Sequence, residues 1–349
     1  MHQKQYLAIA TRPVPALMIR LKPLRQLAFA AFIAFLPTAA MAATWSEPAE
    51  GSAERIALWP QGMAPGDKAL PQAQRIVERS ADPALPDRYI EHVSAPYLVA
   101  YRPAKPNGSA LLVIPGGGYQ RVVLDKEGTA LVPALVEQGG VTLFVLRYRL
   151  PGEGRADREA ALADAQRALR LIRHRATEWG LDPQRVGTMG FSAGGHLAAR
   201  LGNGFDRNVY PHSDMIDDQS ARPDFQLLMY PVITMRGNDV HAGSRQRLLG
   251  STPSDALLQQ YSMQLHVRAD TPPTFLLHAA DDDVVPVGNS LQLYDSLRSA
   301  GISSEMHLFP HGGHGFGTRG TAGLTTAAWP QLALSWMATQ QPTRPKPSL

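Results

Sequence analysis

Val186-Gly187-Thr188-Met189-Gly190-Phe191-Ser192-Ala193-Gly194-Gly195-His196-Leu197-Ala198-Ala199-Arg200-Leu201 decides how this chain is read. Val186–Phe191 has the pattern of a short buried strand, and Ala193–Leu201 is small and apolar at helical spacing. Between them Gly190-x-Ser192-x-Gly194 has the G-x-S-x-G form of a sharp strand-to-helix turn that exposes a serine hydroxyl. Such a turn forces the serine into a strained backbone conformation, and side chains at 190 and 194 would collide across it. The helix that begins there points free N–H groups toward developing negative charge. Ser192 is therefore the candidate nucleophile; the competing reading is a serine that merely caps the helix.

Working outward, Tyr97–Tyr101, Leu111–Ile114 and Val141–Tyr148 read as strands upstream, with helical patterns at Thr129–Gln138 and Ala156–Trp179. The second helix turns Arg167, Arg170, Arg173 and Arg175 outward and stops at Gly180. Downstream, Phe225–Val232, Thr274–Leu277 and Ser304–Phe309 read as strands, and Pro253–Tyr261, Ser290–Arg298 and Ala327–Ala338 as helices. This alternation predicts an α/β fold, a mostly parallel sheet with helices on both faces, because parallel neighbours need crossover connections. Residues 43–95 read as a Pro- and charge-bearing approach containing the short apolar piece Ile56–Pro60. With no internal repeat and no composition break, residues 43–340 are expected to form a single domain. The Pro-rich tail 341–349 is expected to be disordered.

Composition limits the chemistry. With 349 residues, 44% hydrophobic and 18% charged, the chain is globular and long enough for a large core. It has no cysteine, which excludes disulfides, a thiolate nucleophile and zinc held by Cys ligands. The net charge of +4 invites a nucleic-acid reading, but residues 1–42 hold five basic residues and no acid, leaving 29 basic against 30 acidic residues in the remainder. The basic region ending at Arg25, the apolar run Leu27–Leu36 and the small-x-small Ala40-Met41-Ala42 have the form of an export signal cleaved after Ala42. The apolar run is about ten residues, short of the roughly 20 that span a bilayer. Met18 would make a more ordinary start than Met1. The expected compartment is the periplasm or the exterior, with no nucleic acid as partner and no membrane association after cleavage.

Pro115-Gly116-Gly117-Gly118-Tyr119 follows the Leu111–Ile114 strand, and glycines after a strand let backbone approach a ligand closely. Gly117 and Gly118, with the N–H of Ala193 after the nucleophile, are assigned as an oxyanion hole. A P-loop reading lacks the Gly-Lys-Ser/Thr ending, and Rossmann spacing is absent. In this architecture acid and then histidine follow the serine. Of the eleven histidines, only His307, His311 and His314 lie after Asp281-Asp282-Asp283. His307 sits inside a strand pattern; His314, flanked by glycines, is favoured over His311 as the base, and His311 reads as a loop anchor or substrate-side residue. Spacing does not choose among the three aspartates. No metal or organic cofactor is implied. Tyr119 and Trp59 read either as sugar-site aromatics or as buried packing. Arg147 and Arg149 read as partners of a structural ion pair with Asp164 or Glu127, and His196 and His241 as supports near the site.

Taken together, these segments resemble the bacterial α/β-hydrolase esterases grouped with acetylxylan and feruloyl esterases, some of which are labelled xylanases. The resemblance runs through most of residues 56–337 and includes Leu58-Trp59-Pro60, Pro115–Tyr119, Lys126-Glu127-Gly128, Leu146–Pro151, Asp164–Ala168, Gly190–His196, Arg222-Pro223-Asp224, Tyr230-Pro231-Val232, Asp282–Pro286 and Gly313–Gly317. In that family the acid is the Asp of a D-x-x-V-P segment, which falls on Asp282, and the base is the His of G-H-G-F, which falls on His314. The resemblance implies carboxylester hydrolysis through a Ser192–His314–Asp282 triad and an acyl-enzyme, with deacetylation of xylan or xylo-oligosaccharides as the expected reaction. Ile114-Pro115 precedes the glycines in place of the His of lipase-like relatives, which weighs against a large lipid pocket. The rivals are a general short-chain esterase, a prolyl-oligopeptidase-like peptidase, and a catalytically silent carbohydrate-binding protein on the same fold.

Overall fold

The structure, a computed structural model, describes residues 53–340 apart from 66, 68, 69, 71 and 153–157. The export signal at 1–42 and the tail at 341–349 lie outside the described residues. Eleven strands are described: Glu54–Ala57 (β1), Arg75–Glu78 (β2), Arg88–Glu91 (β3), Tyr97–Tyr101 (β4), Ala110–Ile114 (β5), Val122–Val123 (β6), Thr142–Arg147 (β7), Val186–Phe191 (β8), Gln226–Met229 (β9), Thr274–Ala279 (β10) and Ser304–Phe309 (β11). Eight of them form one sheet in the order β1-β4-β7-β5-β8-β9-β10-β11. The pairs β1/β4 and β4/β7 are antiparallel and the rest parallel. The mostly parallel α/β sheet read from the strand–helix alternation is borne out.

The helices are Ala160–His174 (α1), Ser192–Asn203 (α2), Ala242–Leu249 (α3), Asp255–Gln260 (α4), Gly288–Ser299 (α5) and Trp329–Thr339 (α6). Strand alternation sorts the sheet's residues onto two faces. Leu112, Ile114, Phe144, Leu146, Leu228 and Leu276 join one buried cluster with Leu169 of α1, Leu197 of α2 and Leu293 of α5. Their alternates Val113, Val145, Leu227 and Leu277 are just as buried. On that second face Trp336 of α6 meets the rings of Phe225 and Phe275. A fully buried apolar strand therefore needs helices on both sides, and the chain supplies them.

Three local features depart from the sequence reading. The expected helix at Thr129–Gln138 is a 3₁₀ turn at Thr129–Leu131 followed by a wide π-type turn at Val132–Gln138, with Pro133 at its start. Within residues 43–95, β1 pairs with the edge of the main sheet, and β2 and β3 join β6 in a small antiparallel sheet. Arg167 does not face outward: its side chain is 1% exposed, bonded to Asp214 and Asp217 and to the Leu58 carbonyl, 5.3 Å from the Trp59 ring centre.

Trp59 donates its indole N–H to Asp164, which also holds Arg149 in a pair shared with Asp67, so Trp59 is packing and not a sugar platform. Asp217 is 2% exposed and takes its nearer counter-charge from Arg167 at 3.0 Å, with Arg170 at 3.7 Å. Arg167→Leu removes the buried cation shared by Asp214 and Asp217, leaving Asp217 only Arg170, the Tyr210 hydroxyl and the Ser213 N–H, and is expected to lower unfolding stability by about 3 kcal/mol, read by urea denaturation.

Candidate active site

Ser192 stands where β8 becomes α2, with φ +51, inside the left-handed region. The turn closes tightly: a Cβ added at Gly194 would overlap the Ile114 carbonyl oxygen and lie 2.5 Å from that of Pro115. Only glycine lets α2 start this close to the end of β5. Ser192 Oγ is 2.9 Å from His314 Nε2, and His314 Nδ1 is 2.7 Å from Asp282 Oδ2. With Nδ1–H donating to the carboxylate, Nε2 is left to accept from the serine hydroxyl.

The three residues come from the C-terminal ends of β8, β10 and β11, where parallel sheets collect their sites. Asp282 is fully buried at its side chain. Burial alone would raise its carboxyl, but hydrogen bonds from His278 and His314 and from the Val285 N–H hold it well below the usual carboxylate range. The neighbouring aspartates do other work: Asp281 accepts from the Gly313 N–H at 2.8 Å and pairs with His311, while Asp283 is exposed. His311 is thus a loop anchor.

Beside the serine, Gly117 has φ +129, and a Cβ there would overlap the Arg121 carbonyl. The Gly116 N–H is taken by Glu127 Oε2 at 2.7 Å, whereas among the described residues nothing accepts from Gly117 or Gly118 N–H. Ala193 N–H belongs to the first turn of α2, whose N–H groups a helix leaves without internal acceptors. The structure brings these three donors to the same corner as Ser192, and Gly117, Gly118, Ser192 and His314 line one cleft of about 510 Å³.

The supporting roles of Glu127, Tyr230 and His278 were not legible in the sequence. Glu127 is buried; burial pushes its carboxyl up, against the Gly116 N–H and the Tyr230 hydroxyl, 3.1 Å away, which favour the anion. Tyr230, at φ +37, also accepts from the Gly317 N–H and lies edge-on to His314 at 5.2 Å. His278 donates to the Val285 carbonyl and leans on Asp282 from behind. Tyr230 and His278 stand as single polar residues in apolar runs and Glu127 among charged neighbours, so none of them marks its partner.

His196 and Tyr119 are a buried pair at 2.8 Å, with His196 donating to the Tyr261 carbonyl. Burial and Arg200 push His196 down to about 3, so it is neutral. Tyr119 thus ties the glycine loop to α2. His241 caps α3 and borders the cleft.

Residues 98–297 match the BD-FAE family, more than half of the chain. The chain belongs to the BD-FAE family. The resemblance read from its motifs is therefore borne out. This BD-FAE chain is 36% identical over 224 residues, 63% of its length and 43% of the relative's, to an acetylxylan esterase of Xylanibacter ruminicola. It is 37% identical to an endo-1,4-beta-xylanase B of Butyrivibrio fibrisolvens, covering 59% of this chain and 32% of that one. The chain thus spans less than half the length of either relative. Among solved structures, an acetyl ester-xyloside bifunctional hydrolase of Caldicellulosiruptor lactoaceticus superposes with a TM-score of 0.68 at 34% identity, covering 82% of this chain and 96% of that one. The fold is that of the α/β hydrolases.

Because the Asp282 carboxyl is depressed in the folded state, its stabilisation is present above the ordinary value of about 3.9 and is lost as pH falls below it. Asp282→Asn is therefore expected to lower the urea midpoint at pH 7, and the gap to wild type is expected to shrink toward pH 3. A gap that is constant with pH would assign the effect to packing alone.

Proposed function

We propose that the chain is a serine carboxylesterase that removes small acyl groups, acetyl above all, from xylan or xylo-oligosaccharides. The observation that carries this reading is the hydrogen-bonded series Ser192 Oγ, His314 and buried Asp282 at the edge of an open cleft. In this reading Ser192 Oγ attacks the ester carbonyl while His314 Nε2 takes its proton, and Asp282 stabilises the resulting imidazolium. The N–H groups of Gly117, Gly118 and Ala193 receive the oxyanion. His314 then returns its proton to the departing sugar oxygen, the alcohol leaves, and an acyl-enzyme remains. A water that gives its proton to the same imidazole attacks the acyl carbonyl; acid and free serine are released.

The acetyl and xylan parts of the reading draw support from the relatives, which include an acetylxylan esterase and an acetyl ester-xyloside hydrolase. A cleft of about 510 Å³ accommodates an oligosaccharide better than an acetyl group alone. Among the described residues no group of His, Asp and Glu is arranged to hold a metal. Also among them, no helix is long and apolar enough to cross a membrane. Export is supported by the basic, apolar and small-residue sequence of 1–42.

The test is acetate release from acetylated xylo-oligosaccharides beside p-nitrophenyl acetate. Wild type is expected to hydrolyse both, and Ser192→Ala to lose about 10⁴-fold or more in kcat. Turnover of the artificial ester alone would keep the mechanism and reject the sugar; turnover of neither would reject the catalytic reading. For export, N-terminal sequencing of protein recovered outside the cytoplasm is expected to begin at Ala43.

A further inference from the structure

The cleft is far larger than an acetyl group needs, and the charge on its walls is one-sided. Arg79, Arg121, Lys126 and Arg247 line it against a single carboxylate, Glu127. Both oxygens of Glu127 are engaged below the surface, by the Gly116 N–H and the Tyr230 hydroxyl. Asp87 stands 2.7 Å from Arg79 and 3.8 Å from Lys126, so one carboxylate serves that pair. Among the described residues, no carboxylate lies within ion-pair distance of Arg121 or Arg247.

Arg121 is positioned at the cleft with an aromatic face and not a carboxylate as its neighbour. Its guanidinium lies over the Tyr89 ring, 4.8 Å from the centre, and the residue lines the cleft. Its stem rests on Gly117, where an added Cβ would meet Arg121 Cγ at 2.9 Å, so the cation is anchored beside Ser192's own corner of the cleft. Arg247 comes from a separate element, α3, and is exposed at the cleft.

We infer that the cleft takes esters whose alcohol half carries a carboxylate, the class of acylated oligosaccharides bearing a uronic acid, and that Arg121 and Arg247 select them. The inference rests on the ester-hydrolase reading above. A sugar carboxylate is ionised at neutral pH, and guanidinium groups bind it through paired, charge-assisted hydrogen bonds. The acyl group has to reach Ser192 Oγ, while Arg247 is exposed to solvent, so the carboxylate belongs to the part of the substrate that is not transferred.

The experiment compares kcat/KM for two acetylated xylo-oligosaccharides of equal length, one carrying a glucuronic acid side group and one neutral, with p-nitrophenyl acetate as a reporter of the basic reaction. Wild type is expected to favour the acidic sugar by about tenfold at low ionic strength. The preference should fall toward unity in about 0.5 M salt. In the double variant Arg121→Gln/Arg247→Gln the ratio is expected to drop to about one. In Arg245→Gln, which removes a charge from the same helix away from the cleft lining, the ratio is expected to persist. Equal rates in wild type, a ratio that survives the double variant, or one that is lost in Arg245→Gln would each overturn the inference. A preference for mono-p-nitrophenyl succinate over p-nitrophenyl butyrate, removed by the same double variant, would place the carboxylate in the acyl half and overturn it as well. If the reporter is hydrolysed and neither sugar ester is, inhibition of the reporter by the two deacetylated oligosaccharides yields the same ratio and decides in the same way. If nothing is hydrolysed, the esterase reading fails separately, and calorimetric binding of those two oligosaccharides still decides the charge preference.

Discussion

Ser192 is held at φ +51, a conformation a serine does not choose for itself, and the surrounding structure is arranged to keep it there. The strand before it is clamped between β5 and β9 in parallel register. The helix after it presses on the Pro115 carbonyl through a residue with no side chain. The Ser192 carbonyl accepts from the Val232 N–H, fixing the turn from the side of β9. Because the sheet over-determines this one backbone angle, the hydroxyl is presented outward at the C-terminal edge without any contribution from substrate. Tyr119 and Tyr230, also at positive φ, flank the same corner, so strain is concentrated where the loops converge.

Around that corner, buried polar groups are satisfied in series. Asp282 is ionised because two imidazoles and two backbone N–H groups face it. His196 is neutral because it lies in apolar surroundings near Arg200. Glu127 links the glycine loop to Tyr230, and Tyr230 links onward to the loop that carries His314. The distances between the serine, the imidazole and the glycine loop are therefore fixed by one connected hydrogen-bond network and not by three independent loops.

Much of this was readable in advance, for identifiable reasons. The strands Tyr97–Tyr101, Val186–Phe191 and Ser304–Phe309 have their expected bounds because each is a short run closed by turn-forming residues. The chain order of serine, acid and base narrowed the site to a few positions, and the family resemblance singled out Asp282, whose carboxylate the structure sets against His314. What escaped was set by remote partners. Arg167 lies at a helical position that looks solvent-facing, and only Asp214 and Asp217, more than 45 residues away, make it a buried residue. The strands β2 and β3, Arg75-Ile76-Val77-Glu78 and Arg88-Tyr89-Ile90-Glu91, are short and charged at both ends, so they look like loop. The helix α3 has too few apolar residues to mark a face, yet it carries one wall of the cleft.

The placement of β11 has a consequence for where the sheet can loosen. It is the outermost strand, bonded only to β10 within the sheet, and half-exposed along its length, with Leu308 open to solvent at 48%. Edge strands of this kind open at free energies well below that of global unfolding. His314 lies on the loop that follows it, and that loop is held from outside the strand by Gly313 on Asp281, His314 on Asp282, and Gly317 on Tyr230 and Trp329. Fraying of the sheet edge at β11 therefore meets these ties before it reaches the imidazole, and the catalytic corner is buffered from the exposed edge of the sheet.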